Sequence, residues 1–228
     1  MAINELLLEL LPNVYHNVPE LVKCMGQTIH MILVPGLISF VFGILLAFVL
    51  IVTRKGDILE NTALWTILDK IINLFRAIPF IILIALLIPV TRAIAGTAIG
   101  VKGAIVPLIF GTVPFFARQM ESALSEIDRG SIEAALSMGT SPAGIIFRIY
   151  LKESIPGIIR GITITLTSLV GLTAMAGAIG GGGLGDFAIR YGYQRYQTDV
   201  TMVTVIILII IVSIIQWSGN FCSKKLTR

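Results

Sequence analysis

Charged side chains are scarce in this sequence. Lysine, arginine, aspartate and glutamate make up 13% of its 228 residues, whereas a typical soluble domain contains about 25%. Apolar residues account for 56%, so most of the folded surface should face lipid rather than water. The formal net charge of +4 is small, and we interpret it as a signal of membrane topology. No nucleic-acid partner is expected from it.

Residues typical of catalytic and metal sites are also few. The two cysteines, Cys24 and Cys222, lie near opposite ends of the chain without C-x-x-C spacing. The two histidines, His16 and His30, are too far apart to ligate a metal from one turn of a helix. The sequence has no G-x-x-x-x-G-K-[ST] run, which is the Walker A loop of ATPases. We therefore expect no metal, no cofactor and no enzymatic activity in this chain.

Five apolar segments are long enough to cross a bilayer, which takes roughly 20 residues per helix. Backbone groups inside hydrocarbon must be paired, so each crossing should be an α-helix. The predicted fold is an all-α integral membrane protein with five transmembrane helices, at about 27–53, 66–90, 96–117, 157–182 and 200–220. Residues 221–228 form a tail, and residues 1–25 form an amphipathic N-terminal segment. A short helix ending at Pro12 is predicted there, with an apolar face of Leu6, Leu7, Leu10 and Leu11.

Lysines and arginines are distributed unevenly between the two sides of such a protein. Twelve lie on the side that carries the 118–160 segment and the tail: Arg54, Lys55, Lys70, Arg76, Arg118, Arg129, Arg148, Lys152, Arg160, Lys224, Lys225 and Arg228. Five lie on the other side: Lys23, Arg92, Lys102, Arg190 and Arg195. Because cytoplasmic loops are enriched in these residues, we expect the N-terminus outside and the C-terminus in the cytoplasm.

Ionisable residues are nearly absent from the apolar segments other than the second and third. An ion-coupled carrier or a channel would be expected to place such groups within its spans. Asp69, Lys70 and Arg76 fall near the cytoplasmic end of the second segment, where mutual pairing and snorkelling account for them. With no proton relay visible, energy for transport would come from elsewhere. ATP hydrolysis on a partner subunit fits this absence, and an ion-coupled amino-acid carrier is the alternative.

The longest polar interruption between the apolar segments is 133–156. Residues 133–136 favour a helix, Gly139 interrupts it, and the run 140–142 supplies an N-cap and a first-turn proline for a second helix. That second helix is predicted over about 143–150, and its apolar face consists of Ile145, Ile146, Ile149 and Tyr150. Helices this short cannot cross a bilayer. The loop should therefore lie at the membrane surface, either resting on lipid headgroups or with one face free for a partner.

The spacing within this loop resembles the EAA signature of ABC-importer permeases. The matching residues are Glu133, Ala134, Ala135, Gly139, Ile149 and Leu151. The resemblance implies that these residues, within a coupling loop at about 125–152, dock into a separate ATPase subunit. Lys152 stands where the signature usually has proline. We therefore expect the second short helix to run on toward Pro156.

The resemblance extends over nearly the whole chain. The runs 73–100, 104–127 and 168–193 are similar to the permease of bacterial methionine ABC importers. This implies a type I ABC importer permease fold, with residues 26–220 as its transmembrane domain, in the bacterial cytoplasmic membrane. The implied partners are a second copy of the chain, two cytoplasmic ATPases and an external methionine-binding lipoprotein. L-methionine, D-methionine and related thioethers all remain open as substrates, as does another small polar substrate.

The fourth apolar segment also acquires a role from this resemblance. Met175 occupies the position of a gate-forming methionine, and Ser168, Gly171, Thr173 and Gly177 would line the translocation pathway with it. A methionine in an apolar helix is otherwise most often a packing residue. Packing is therefore the alternative role for Met175.

Overall fold

A computed structural model describes residues 10–226, and every regular element among these residues is helical. Three of the described helices are continued by wider π-helical turns, at Ile146–Tyr150, Gly177–Gly181 and Ala188–Tyr193, which are single-turn features in most proteins. The helices are α1 (Pro12–His16), α2 (Val18–Thr53), α3 (Thr62–Ala77), α4 (Phe80–Leu86), α5 (Ile88–Ala95), α6 (Gly100–Ser125), α7 (Arg129–Ser137), α8 (Pro142–Ile145), α9 (Ile155–Ala176), α10 (Gly183–Phe187) and α11 (Thr198–Leu226).

Among the described residues, 4 helical segments are long and apolar enough to cross a membrane unaided: α2, α6, α9 with its continuation to Gly181, and α11. The segment predicted as a single helix over 66–90 is instead divided among α3, α4 and α5. Proline is the physical reason. Ile78 precedes Pro79 and takes an extended conformation with ψ 123°, since the proline ring disfavours helical geometry in the residue before it. Pro89 lies in the first turn of α5, where its missing N–H costs nothing.

Other helix bounds also differ from the sequence prediction. Helix α2 begins nine residues before the predicted start at 27 and contains Pro35 in its interior. Helix α6 runs through Pro107 and Pro114 to Ser125, well beyond the predicted end at 117. Helix α9 with its π-helical continuation covers Ile155–Gly181, close to the predicted span at 157–182. Most of the predicted N-terminal helix lies outside the described residues, and α1 begins at Pro12.

The chain divides into two compact units. The first contains the described residues up to Gly36, together with Pro79–Ile109 and Thr167–Ile214. Its core joins α1, the start of α2, α10 and α11 through the buried residues Val14, Leu21, Cys24, Leu184, Phe187 and Val200. The Asn13 backbone N–H and side-chain amide each donate a 3.0 Å hydrogen bond to Asp199, which ties α1 to the first turn of α11.

The second unit contains Leu37–Ile78, Phe110–Leu166 and the residues from Ile215 onward. Its core joins the end of α2, the end of α6, the loop between α6 and α9, and the start of α9. The buried residues of this core are Ala47, Ile51, Val52, Phe116, Met120, Leu124, Ile132, Ala135, Ile145, Tyr150 and Ile158.

An ion-pair cluster connects α3 and α6 in this second unit. Arg118 pairs with Asp69 of α3 and with Glu121 of its own helix, 2.5 Å away. Its guanidinium also donates to the Asn73 side-chain oxygen at 3.1 Å. The sequence prediction that Asp69 pairs with its neighbours Lys70 or Arg76 is therefore wrong, because its partner lies 49 residues away along the chain.

Candidate functional site

The loop between α6 and α9, residues 126–154, contains the predicted docking residues. The Asp128 carboxylate accepts a 3.2 Å hydrogen bond from the Ser131 backbone N–H and so caps the N-terminus of α7. Helix α7 ends at Ser137, and Gly139 then adopts φ +75°. Residues with a Cβ rarely adopt such a φ, so glycine at this position permits the sharp turn between the two helices. The predicted interruption at Gly139 is confirmed.

Helix α8 begins as the sequence predicts. The Ser141 hydroxyl accepts a 3.2 Å hydrogen bond from the Gly144 N–H, and Pro142 occupies the first turn. The helical path then widens into a π-helical turn at Ile146–Tyr150 and closes with an α-helical turn at Leu151–Glu153. The second helix therefore runs on past Tyr150 toward Pro156, as we expected from the lysine at position 152. Helix α9 starts at Ile155, directly after the turn at Ser154.

One face of this loop, which we call the inner face, is buried in the core of the second unit. Ile132, Ala135, Ile145 and Tyr150 form it, and the last two are 0% and 1% exposed. They pack with residues at the ends of α2 and α6 and at the start of α9: Ile51, Val52, Met120, Leu124 and Ile158. Fully burying an isoleucine stabilises a fold by about 1.5–3 kcal/mol, so the loop is firmly seated on three of the four long helical segments.

A hydrogen-bonded pair joins the inner face to the loop between α2 and α3. The Tyr150 hydroxyl donates to the Asp57 carboxylate, with oxygen–oxygen distances of 2.8 and 3.0 Å. Burial, followed by this contact with Asp57, raises the pKa of Tyr150 above its usual value. Beside the pair is an open cleft lined by Gly56, Asp57, Ile58, Arg129, Ile132, Glu133 and Leu136.

The opposite side of the loop, which we call the outer face, is exposed and apolar. Met138 is 78% exposed, Phe147 66% and Leu136 45%. Large apolar side chains grouped at a protein surface commonly mark an interaction site. Sequence reasoning assigned none of the three to docking. The sequence did contain a signal for them, since each of the three lies off the helical spacing of the apolar residues that face the core.

The six predicted docking residues do not share one environment. Glu133, Ala134 and Gly139 are exposed beside the outer face. Ala135 is only 3% exposed and belongs to the inner face, and Ile149 and Leu151 are partly buried against the same core. Half of the set is therefore available to a partner, while the other half seats the loop.

The five predicted pathway residues also separate into two groups. Ser168, Gly171 and Met175 follow each other at helical spacing on one side of α9, where Gly171 is exposed and Met175 is 41% exposed. Thr173 is buried, and its hydroxyl donates to the Val170 carbonyl at 2.7 Å. Gly177 is buried where a Cβ would lie 2.6 Å from the Asp186 backbone nitrogen. Thr173 and Gly177 therefore serve helix packing rather than an accessible surface.

Two polar residues of α2 hold the chain that follows Gly177. The Gln27 side-chain oxygen accepts from the Gly183 N–H at 2.8 Å, and the Thr28 hydroxyl accepts from the Leu184 N–H at 2.8 Å. They satisfy the N–H groups at the start of α10, which has no capping side chain of its own. Sequence reasoning missed both residues, because each lies 156 positions from its partner.

No cluster suited to a metal was found within the described part of the chain. Among residues 10–226, no group of three or more histidine, cysteine, aspartate or glutamate side chains is placed to hold an ion. The polar groups described above bind each other or backbone. The arrangement thus offers an exposed apolar face on a firmly seated loop and an accessible side of a long apolar helix.

Comparison with known proteins gives consistent results. A family profile described as "Binding-protein-dependent transport system inner membrane component" matches residues 39–227. The probable D-methionine transport system permease protein MetI of Vibrio cholerae is 47% identical over 194 residues, which cover 85% of this chain and 86% of that protein. The methionine import system permease protein MetP of Bacillus subtilis is 44% identical over 171 residues, which cover 75% of this chain and 77% of that protein.

Solved structures agree with the sequence comparisons. A chain from inward-facing conformations of the MetNI methionine ABC transporter matches with a TM-score of 0.91 and 43% identity, covering 93% of this chain and 98% of that chain. A chain of an amino acid ABC transporter crystallised with histidines matches with a TM-score of 0.77 at 15% identity, covering 94% and 98%. The second match shows a shared fold alone.

Proposed function

Because this chain belongs to the family of binding-protein-dependent transport system inner membrane components, we propose that it is the permease subunit of an ATP-driven methionine importer. The observation that carries the proposal is the extent of the match to methionine permeases: 47% identity over 86% of one relative and a TM-score of 0.91 over 98% of a MetNI chain. The substrate is methionine, in its L-form, its D-form or both.

ATP hydrolysis takes place on partner subunits. Two copies of this chain form the pathway, two ATPases bind to them, and an external methionine-binding lipoprotein delivers the substrate. The family description supports the last partner, since it names dependence on a binding protein. The exposed apolar residues Leu136, Met138 and Phe147 support a protein partner at the 126–154 loop, because large apolar side chains at a protein surface commonly mark an interaction site.

The inner and outer faces of the loop give it a mechanical role. The ATPase binds the outer face, together with Glu133, Ala134 and Gly139. ATP binding moves the ATPases together and displaces the loop. Because the inner face is packed on α2, α6 and α9, these helices must follow, and the pathway opens outward. Hydrolysis reverses the movement.

The accessible side of α9 lines the pathway. Ser168, Gly171 and Met175 face the passage, and Met175 narrows it. Their weak polarity suits transient passage of an amino acid rather than tight binding, so the external protein supplies most of the specificity. The permease lies in the bacterial cytoplasmic membrane with its C-terminus inside, which the concentration of lysine and arginine on the side of the 126–154 loop supports.

The test is uptake by proteoliposomes that contain the purified transporter. Radiolabelled methionine should accumulate only when ATP and the loaded binding protein are both present. Competition by unlabelled L-methionine, D-methionine and other amino acids would then define the substrate. Uptake that persists without ATP and follows a proton gradient would overturn the proposal in favour of an ion-coupled carrier.

A further inference from the structure

The hydrogen-bonded pair of Tyr150 and Asp57 lies at the edge of an otherwise apolar contact between the 126–154 loop and the helices. Tyr150 is 1% exposed and lies at the end of the π-helical turn in the 126–154 loop. Its hydroxyl approaches both carboxylate oxygens of Asp57, at 2.8 and 3.0 Å. Hydrogen bonds to ionised groups are shorter and stronger than those between neutral groups. The inner face otherwise contacts its surroundings through apolar side chains, which can slide over one another.

Asp57 belongs to a connection that is itself firmly held. The Leu59 N–H donates to the Val52 carbonyl and the Asn61 N–H to the Thr53 carbonyl, both at 2.9 Å, so the connection folds back on the last turn of α2. The Gly56 N–H donates to the Glu60 carboxylate at 2.9 Å. A displacement of Asp57 must therefore carry the end of α2 with it.

The same connection leads directly into α3. The Asn61 side chain accepts a 3.1 Å hydrogen bond from the Leu64 N–H and caps this helix. Further along α3, Asp69 pairs with Arg118 of α6. Tyr150 is thus connected to Asp57 by hydrogen bonds, Asp57 to α3 by the short chain segment before Asn61, and α3 to α6 by the ion pair, all within the second unit.

We propose that Tyr150 and Asp57 are positioning residues that transmit movement of the 126–154 loop to α2 and α3. This inference rests on the proposed function and adds to it the residues that couple ATP hydrolysis to opening of the pathway. Without the bond, the loop stays packed but tilts over the apolar core when the ATPase moves. Part of the movement is then lost before it reaches the helices.

The experiment measures methionine imported per ATP hydrolysed by the reconstituted transporter. Tyr150→Phe keeps the buried ring and removes only the hydroxyl, while Asp57→Ala removes the acceptor. Each should lower the ratio about fivefold, which is in the range of typical coupling between sites. The ATPase should still co-purify and hydrolyse ATP. Tyr193→Phe is the matched control, since the same atom is removed from an exposed tyrosine.

Two further variants separate coupling from folding. The double variant should be no worse than Asp57→Ala alone, because both changes break the Tyr150–Asp57 bond and Asp57→Ala also loses the 2.8 Å hydrogen bond from the Ile58 N–H. Asp57→Asn keeps an oxygen that accepts from the Tyr150 hydroxyl and should retain most of the ratio. Should Tyr150→Phe fail to fold, Asp57→Ala and Asp57→Asn decide the question, since Asp57 lies in a surface loop.

The possible failures are distinguishable. If the unaltered transporter shows no ATP-driven methionine uptake, the proposed function is wrong. If it transports but both single variants keep the wild-type ratio, the inference is wrong. The inference would also be wrong if the reductions in methionine imported per ATP multiplied in the double variant. It would be wrong as well if the variants lost thermal stability while this ratio stayed unchanged.

Discussion

The Gln27 side-chain oxygen accepts a 2.8 Å hydrogen bond from the Gly183 backbone N–H. This contact ties α2 to the segment that follows the candidate gate on α9. The segment leaves helical geometry at Ile179 and Gly180, so the backbone N–H groups that follow lack partners within the helix. Gln27 and its neighbour Thr28 replace the missing internal hydrogen bonds.

Gln27→Leu should destabilise the transporter by leaving the Gly183 N–H without its partner. An orphaned buried donor costs about 1–3 kcal/mol, and 1 kcal/mol lowers the melting temperature of a protein of this size by about 2–4 °C. Thermal unfolding of the purified transporter in detergent measures the effect. Gln27→Glu, which keeps an acceptor oxygen, and Gln194→Leu at an exposed site should both stay near the wild-type value. Equal stability of Gln27→Leu and the wild type would contradict this role.

The effect of a substitution at Gly139 on ATPase binding should depend on the backbone conformation that the new residue tolerates, and not on the size of its side chain. A Cβ there meets no atom within 4 Å, but φ is +75°. Valine in this region costs about 1–2 kcal/mol, whereas asparagine is tolerated. Gly139→Val should therefore weaken ATPase binding and Gly139→Asn should not, as measured by co-purification. The control is Ala143→Val on the exposed part of the same loop. Weaker binding in Gly139→Asn than in Gly139→Val would show that conformation is not the cause.

Phe147→Ala should release the ATPase without unfolding the permease. Phe147 is 66% exposed, so it contributes little to the core, but a central aromatic anchor can contribute about 2 kcal/mol or more to an interface. The dissociation constant should rise roughly 30-fold, as measured by titrating the ATPase onto permease in nanodiscs. Phe221→Ala, which truncates another exposed phenylalanine, at 59%, is the control. A loss of binding in both variants, or in neither, would remove Phe147 from the docking surface.

The ionisation of Tyr150 should report on its bond to Asp57. Burial and that bond raise the pKa of Tyr150 in the native state, while a tyrosine in the unfolded chain titrates near 10. The resulting stabilisation is fully present below about pH 10 and is lost as the pH rises through the native value. In an ultraviolet titration, Tyr150 should therefore ionise above pH 10. The absorbance step that disappears in Tyr150→Phe should lie in that range, and a missing step at or below pH 10 would contradict the buried contact.

The sequence predicted well those features that depend on neighbouring residues. Ser141 and Pro142 begin α8, and Gly139 separates it from α7, because capping and turn formation involve atoms only a few positions apart. The break at Pro79 was also visible, but hydropathy favours a continuous span across 66–90. Hydropathy measures length and composition and is insensitive to a proline that divides a helix without changing its apolar character.

Features that depend on distant residues could not be predicted in this way. Asp69 finds Arg118 and Gln27 finds Gly183 only after the helices have packed. The same holds for the loop, where the positions of Ala135, Ile149 and Leu151 match the family pattern but do not reveal that they turn inward. Burial against the ends of three helices decides their direction, and no local pattern encodes it.

The burial of Ala135 beside the exposed Ala134 has a consequence for how this loop evolves. Side-chain volume at the buried position 135 is limited by the fold of the permease itself, whereas the exposed position 134 would be limited by the ATPase proposed to dock there. A change of ATPase partner should therefore be recorded at Ala134, Met138 and Phe147 while Ala135 stays small. The neighbouring signature positions 134 and 135 would thus be constrained separately, the first by the proposed ATPase partner and the second by the permease fold.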